Sequence, residues 1–313
     1  MAQPPTVTRG GPSGSPRAAQ PLQATQRRNL YRLAFAIPTI TLVLVFFAGP
    51  FIANGVLSFM RWTGFSSTIR FTGFDNFRSL MTLGILQHAT IVTVAFALIT
   101  MIAQNVVGLA LAKALQDSNR INTVFRTIFF IPVLMSPLAA GYIWSAMLAP
   151  DGPINQGISL VIPGDFDHSW LGRSSTALIM VGFIDAWKWS GLATLVYIAG
   201  LNGISRSVIE AAKLDGASAW ERFRMIEVPL LAPAFTFNIT ITLIGSFSAL
   251  DVIFATTKGG PGDATSVLNA AVYDQYGAGL FGQSSALSFM IAVLVIITAV
   301  PLIIYLRKRE LSA

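Results

Sequence analysis

The chain has no cysteine, which removes disulfides, thiol nucleophiles and cysteine-ligated metals at once. Charge is scarce too: Asp, Glu, Lys and Arg make up 11% of the 313 residues, against roughly 25% in soluble domains. Histidine is limited to His88 and His168, with no His-Glu-X-X-His pair, so hydrolytic and metal-dependent chemistry lack their usual parts. No catalytic residue and no metal ligand is expected. The Gly-Gly-Pro-Gly run at 259–262 reads as a turn, because no Gly-Lys-Ser/Thr follows it as a phosphate loop requires. The pattern occurs nowhere else, so any ATP that drives this protein is expected on another subunit, and no cofactor on this one. Residues 1–29 are rich in Pro, Gln, Ala, Gly and Arg and contain nothing like the apolar core of a cleavable signal. They read as a disordered cytosolic tail ahead of an uncleaved anchor helix.

What the chain has in abundance is apolar length. Hydrophobic residues reach 53%, and ionisable groups are absent from 33–60, 89–112, 127–150, 228–250 and 284–306. Each run is long enough to cross a hydrocarbon core about 30 Å thick, which takes roughly 20 residues. A sixth run, 174–202, is interrupted by Asp185 and Lys188. The spacing predicts an all-α polytopic membrane protein with six spanning helices over 30–313 and both termini on one side. A strand barrel is disfavoured, since these runs are continuous where barrel strands alternate over about ten residues.

The net charge of +7 is distributed by topology. Fifteen Lys and Arg fall in the first tail, the loop after the second span, the loop after the fourth and the C-terminal end. Five (Arg61, Arg70, Arg78, Arg173 and Lys258) fall in the other loops. That is the positive-inside bias, so both termini and the 203–229 loop are expected in the cytoplasm, and no nucleic-acid partner is implied. Outside, 61–86 carries Trp62, Phe65, Phe71, Phe74 and Phe77, read first as an interfacial aromatic belt and second as a docking surface. Pro38, Pro50, Pro132 and Pro137 are expected to kink the first and third spans.

Charges inside a span mark either a pathway or a buried pair. Asp185 and Lys188 lie one turn apart on one face, expected either to neutralise each other or to hold a polar solute, with Trp187 or Trp189 as a stacking platform. Asn238, Ser246 and Ser248 in the fifth span are further candidates for such a pathway, or for interhelical hydrogen bonding. Asp251 is expected near the interface.

The 203–229 loop has more order than a short connection needs. Residues 204–214 suit a helix with Val208, Ala211 and Ala212 on one side. Gly216 supplies a stop, and 217–228 resumes with Trp220, Phe223 and Ile226 spaced by three. Glu210-Ala211-Ala212, Asp215-Gly216-Ala217, then Phe223, Ile226, Pro229 and Pro233 resemble the EAA loop of membrane permease subunits of binding-protein-dependent ABC importers. Only Val228 departs, standing where leucine is usual. The resemblance covers about residues 31–310. With the Ala-Gly-Leu ending near Leu201 and the Gly-Gly-Pro-Gly segment, it is closest to the sugar class (maltose, glycerol-phosphate and trehalose permeases), leaning to the trehalose type.

The resemblance implies a multi-pass protein of the bacterial inner membrane. Glu210, Ala211, Ala212, Asp215, Gly216 and Ala217 would form the coupling helix seated on a nucleotide-binding ATPase subunit, two copies of which bind ATP and Mg. A second homologous permease and an extracytoplasmic sugar-binding protein would complete the assembly. Two rivals are an importer of a non-sugar solute and an ion-coupled secondary transporter. The latter predicts inverted repeats, which the sequence does not display, and it leaves the loop unexplained.

Overall fold

The computed structural model describes residues 36–64, 68–162 and 166–310. The tail at 1–29 and Phe65, about which expectations were stated above, lie outside the described residues. The chain divides into two units, 1–53 and 54–313, each treated by itself.

The described part of the first unit is the start of α1 (Ala36–Leu57), whose apolar side chains, such as Phe46 and Phe47, are exposed. Residues Leu44–Ala48 form a π turn in which the Gly49 amide donates to the Leu44 carbonyl, five residues back. Pro50 follows directly. A proline ring crowds the carbonyl four residues before it, and a widened turn relieves that contact.

The second unit continues α1 into an antiparallel pair, β1 (Met60–Arg61) and β2 (Arg70–Phe71), with Met60 opposite Phe71. There follow α2 (Asp75–Thr82), α3 (Ile85–Leu115), α4 (Arg120–Leu134), α5 (Pro137–Met147), α6 (Pro153–Ser159) and α7 (Ser174–Gly203). Next come α8 (Arg206–Leu214), α9 (Ala219–Leu230), α10 (Ala232–Phe247), α11 (Asp251–Thr256), α12 (Leu268–Gly277) and α13 (Phe281–Glu310). Asn76 of α2 braces the strands, its amide donating to the Ser58 and Met60 carbonyls at 2.8 and 2.9 Å. Phe59, Phe74, Phe77 and Phe289 pack edge-on beside it.

Among the described residues, four helices (α1, α3, α7 and α13) are long and apolar enough to span a bilayer unbroken. The third and fifth expected spans are not single helices: α4 meets α5 at 102° and α9 meets α10 at 67°. The third breaks at Met135–Ser136, where Ser136 caps α5 by accepting from the Ala139 amide and Pro137 opens it. Serine before proline at the first helical position is a start signal, and it outweighs apolar continuity. Pro132 sits within α4 without breaking it.

The centre of the unit is α3 against α7. Lipid supplies no hydrophobic drive between helices, so close packing must hold them. A Cβ added at Gly108 would lie 2.7 Å from that of Ala193, and one at Gly182 would lie 2.6 Å from Ile99. Gly191 brings α7 onto the α4 backbone, where a Cβ would come within 2.3 Å of the Phe129 carbonyl. The broken ends meet too: α5 packs on α11, with Gly141 against Ala255.

Candidate functional site

The loop between α7 and α10 folds as a helical hairpin. Ser205 precedes α8, which begins at Arg206, two residues later than the sequence suggests. At the other end Gly216 has φ +82°, its amide donates to the Lys213 carbonyl, and the Ala217 amide donates to that of Ala212. This is a Schellman closure. A Cβ at Gly216 would meet nothing within 4 Å, so within this chain glycine is required by backbone conformation and not by crowding.

Ser218 then caps α9 in a capping box: the Glu221 amide donates to the Ser218 hydroxyl, and the Ser218 amide donates to the Glu221 carboxylate at 2.7 Å. These bonds hold the Glu221 carboxyl below the usual carboxylate range, with the Ser218 side chain as the main cause. Inside α9, Phe223–Glu227 forms a second π turn, closed by the Val228 amide donating to the Phe223 carbonyl. Pro229 follows, as Pro50 follows the first.

The expected apolar face of α8 is narrower than its spacing suggests. Ala212 is buried, whereas Val208 and Ala211 are exposed. Of the expected stripe on α9, Phe223 and Ile226 are half-buried and Trp220 is exposed, its ring 5.7 Å from that of Phe223. Leu214, 90% exposed, stands beside Asp215 and Gly216 at the tip. Glu210 lines a polar cleft of about 710 Å³ together with Arg206, Lys213, Asp117 and Glu227. The six motif residues therefore divide. Asp215, Gly216 and Ala217 make the turn, Ala212 anchors it, Ala211 is exposed and Glu210 faces the cleft.

A second cleft, of about 540 Å³, lies where the broken helices end. Pro137 at the start of α5 contributes to it, as do Asp185 and Trp189 of α7, Thr242 and Ser246 of α10, and Asp251 at the head of α11. Gln104 of α3 and Asn269 of α12 complete the polar lining. The Ser246 hydroxyl is buried and has no hydrogen-bond partner among the described residues.

The structure thus brings together Asp185, Ser246 and Ser248 of the expected pathway residues and places Asp251, expected at the interface, in the same wall. Trp187 packs edge-on against Trp144 at 5.3 Å, outside that lining. Asn238 is fully buried and donates to the Ala193 carbonyl at 3.3 Å, joining α10 to α7.

Among the described residues Asp185 and Lys188 do not form a direct ion pair. The Lys188 ammonium instead donates to the Val133 carbonyl at 3.4 Å and sits 3.7 Å above the Trp189 ring. Val133 is four residues before Pro137, so a continued helix would leave that carbonyl without its donor; the lysine supplies one. Gln104, Asn269 and the reach of Asp251 escaped the sequence reading, because an uncharged amide within an apolar run has no spacing that marks it.

A family profile described as the binding-protein-dependent transport system inner membrane component matches residues 104–310. The chain is 31% identical over 261 residues, 83% of its length and 88% of the relative's, to a trehalose/maltose transport system permease protein of Thermococcus litoralis. It is 34% identical over 263 residues, 83% of its length and 88% of the relative's, to an sn-glycerol-3-phosphate transport system permease protein of Brucella suis. In structure it is similar to a chain of a bacterial ABC transporter involved in the import of the acidic polysaccharide alginate, with TM-score 0.77, 20% identity, and coverage of 92% of this chain and 99% of that one. A helical unit with several candidate membrane spans accords with these likenesses. The chain belongs to the family of binding-protein-dependent transport system inner membrane components.

Proposed function

We propose that this chain is one transmembrane subunit of an ATP-driven importer for a neutral saccharide, with trehalose- or maltose-like disaccharides as the first candidates. Both termini and the 203–229 hairpin face the cytoplasm in this reading, where the hairpin seats on an ATPase subunit. A second permease chain closes the pathway, and an extracytoplasmic binding protein delivers the sugar. Support for the assembly comes from the family and from a solved relative described as an alginate ABC transporter in complex with its oligosaccharide-bound periplasmic protein.

The observation that carries the substrate class is the lining of the 540 Å³ cleft. Its size is ordinary for a small-molecule site, about 300–1,000 Å³. Asp185, Gln104, Ser246 and Asn269 supply acceptors and donors, Trp189 supplies an aromatic face, and no Lys or Arg is among the lining residues. Sugar hydroxyls suit that set; a phosphate dianion meets Asp185 and Asp251, while the nearby Lys188 ammonium is engaged by the Val133 carbonyl and the Trp189 ring. This favours saccharide over glycerol phosphate, although a relative named for the latter is the more identical of the two.

The test is ATP hydrolysis by the reconstituted assembly with its binding protein, challenged with trehalose, maltose and sn-glycerol-3-phosphate. Stimulation by a disaccharide is the expected result. Stimulation by glycerol phosphate alone would remove the saccharide reading.

A further inference from the structure

Among the described residues, the hairpin meets another helix through one half-buried side-chain polar contact. Lys113, in the last turn of α3, donates to both Glu227 carboxylate oxygens at 2.8 and 2.6 Å. The glutamate side chain is 10% exposed and the lysine side chain 35%. The same ammonium lies 5.7 Å from the Phe223 ring and 3.5 Å from the Gln116 side-chain oxygen. Among the described residues, the other side-chain hydrogen bonds of 204–229 stay inside the hairpin: Ser205 with Ser207, Ser218 with Glu221, and Arg222 donating to the Ala217 carbonyl. Among the described residues, Lys113–Glu227 is therefore the one side-chain polar link between the hairpin and another helix.

Its position gives the link a purpose. Beyond Glu227, which ends the π turn Phe223–Glu227, the covalent route from the hairpin into α10 passes through a 67° elbow at Leu231. Such an elbow is a place where a helix yields instead of transmitting a push. Lys113, by contrast, sits on α3, an unbroken 31-residue helix that packs along α7 and carries Gln104 to the cleft wall. The receiving end of α3 is itself fixed, since the Arg126 guanidinium of α4 donates to the Leu115 and Asp117 carbonyls. A buried ion pair contributes little net stability, yet losing one partner leaves an uncompensated charge. That makes it a poor glue and a sharp register device.

We infer that Lys113 and Glu227 form a latch that passes hairpin movement into α3, so that both are positioning residues for transport. This rests on the importer reading above. The test uses the whole assembly in proteoliposomes, measuring sugar transported per ATP hydrolysed for wild type, Lys113→Ala, Glu227→Gln and the exchanged pair Lys113→Glu/Glu227→Lys.

Each single variant is expected to lower that ratio by about tenfold, within the usual range of coupling between sites, while the exchanged pair restores most of it. A wild-type ratio in both single variants would overturn the latch. So would fewer assembled complexes with an unchanged ratio in those that remain, the signature of a merely structural pair. Failure of the wild-type assembly to move any saccharide would instead strike the importer reading.

Discussion

α3 and α7 run their length without interruption, while α4 gives way to α5 at 102° and α9 of the hairpin to α10 at 67°. The unbroken pair is held by glycine and alanine in close contact, at Gly108 against Ala193 and at Gly182 against Ile99. The broken pairs free backbone carbonyls and helix ends, which need polar partners once away from water. Val133 receives Lys188, and the cleft opens where α5 and α11 begin. In the proposed importer, stiff elements would carry load and interrupted ones would make room for a solute.

The largest effect is expected at the hairpin turn. Gly216→Val places a β-branched residue at φ +82°, a conformation such residues scarcely adopt. Saccharide uptake by the assembled transporter should fall by roughly 100-fold, near the upper range of site-to-site coupling, with membrane insertion unchanged. Uptake at the wild-type rate would show that the Schellman turn plays no part in transport. Next comes the unbroken frame. Gly191→Leu drives a side chain into the Phe129 carbonyl and should cost about 1–3 kcal/mol, as overpacked cores do. Thermal unfolding in detergent checks this, and an unchanged midpoint would mean that α4 and α7 separate freely.

Much of this contrast was legible in the sequence, but not its sharpest feature. The runs 89–112 and 174–202 map onto α3 and α7, the second despite its two charges, because apolar length dominates in a continuous span. Ser136-Pro137 carried a helix-start signal, yet inside a stretch of 24 uncharged residues it read as a kink. The cap and the missing Pro137 donor turned it into a 102° break. The hairpin's stop at Gly216 was legible from glycine's freedom at positive φ, whereas the π turns were not, since they depend on a proline's crowding of a preceding carbonyl. Lys113 and Glu227 are 114 residues apart, a separation at which no periodicity pairs them. Asp185 stood out because a charge in a span is conspicuous; Gln104 and Asn269, uncharged, did not.

Smaller effects belong to the cleft. Asp185→Asn and Trp189→Ala should each weaken saccharide affinity of the outward-open assembly by about tenfold, a difference of roughly 1.4 kcal/mol, without lowering the transport-to-ATP ratio at saturation. Isothermal titration with both variants checks this, and intact affinity in the pair would move the site elsewhere. The smallest effect is at the cap of α9. Ser218→Ala should cost about 1 kcal/mol of local stability, read as faster amide exchange over 219–222. Because the Glu221 carboxyl is held below its ordinary range, the cap's contribution is complete above the ordinary carboxylate pKa. It is lost as pH falls through the lowered value. Exchange that is insensitive to acid would contradict the capping box.

In the proposed importer, energy enters from a separate subunit through the 203–229 hairpin. Radiolabelled disaccharide uptake should be followed in vesicles containing the two permease chains and the binding protein, with and without the ATPase subunit and ATP. Accumulation only when ATPase and nucleotide are both present is the predicted result; accumulation against a gradient without them would contradict it.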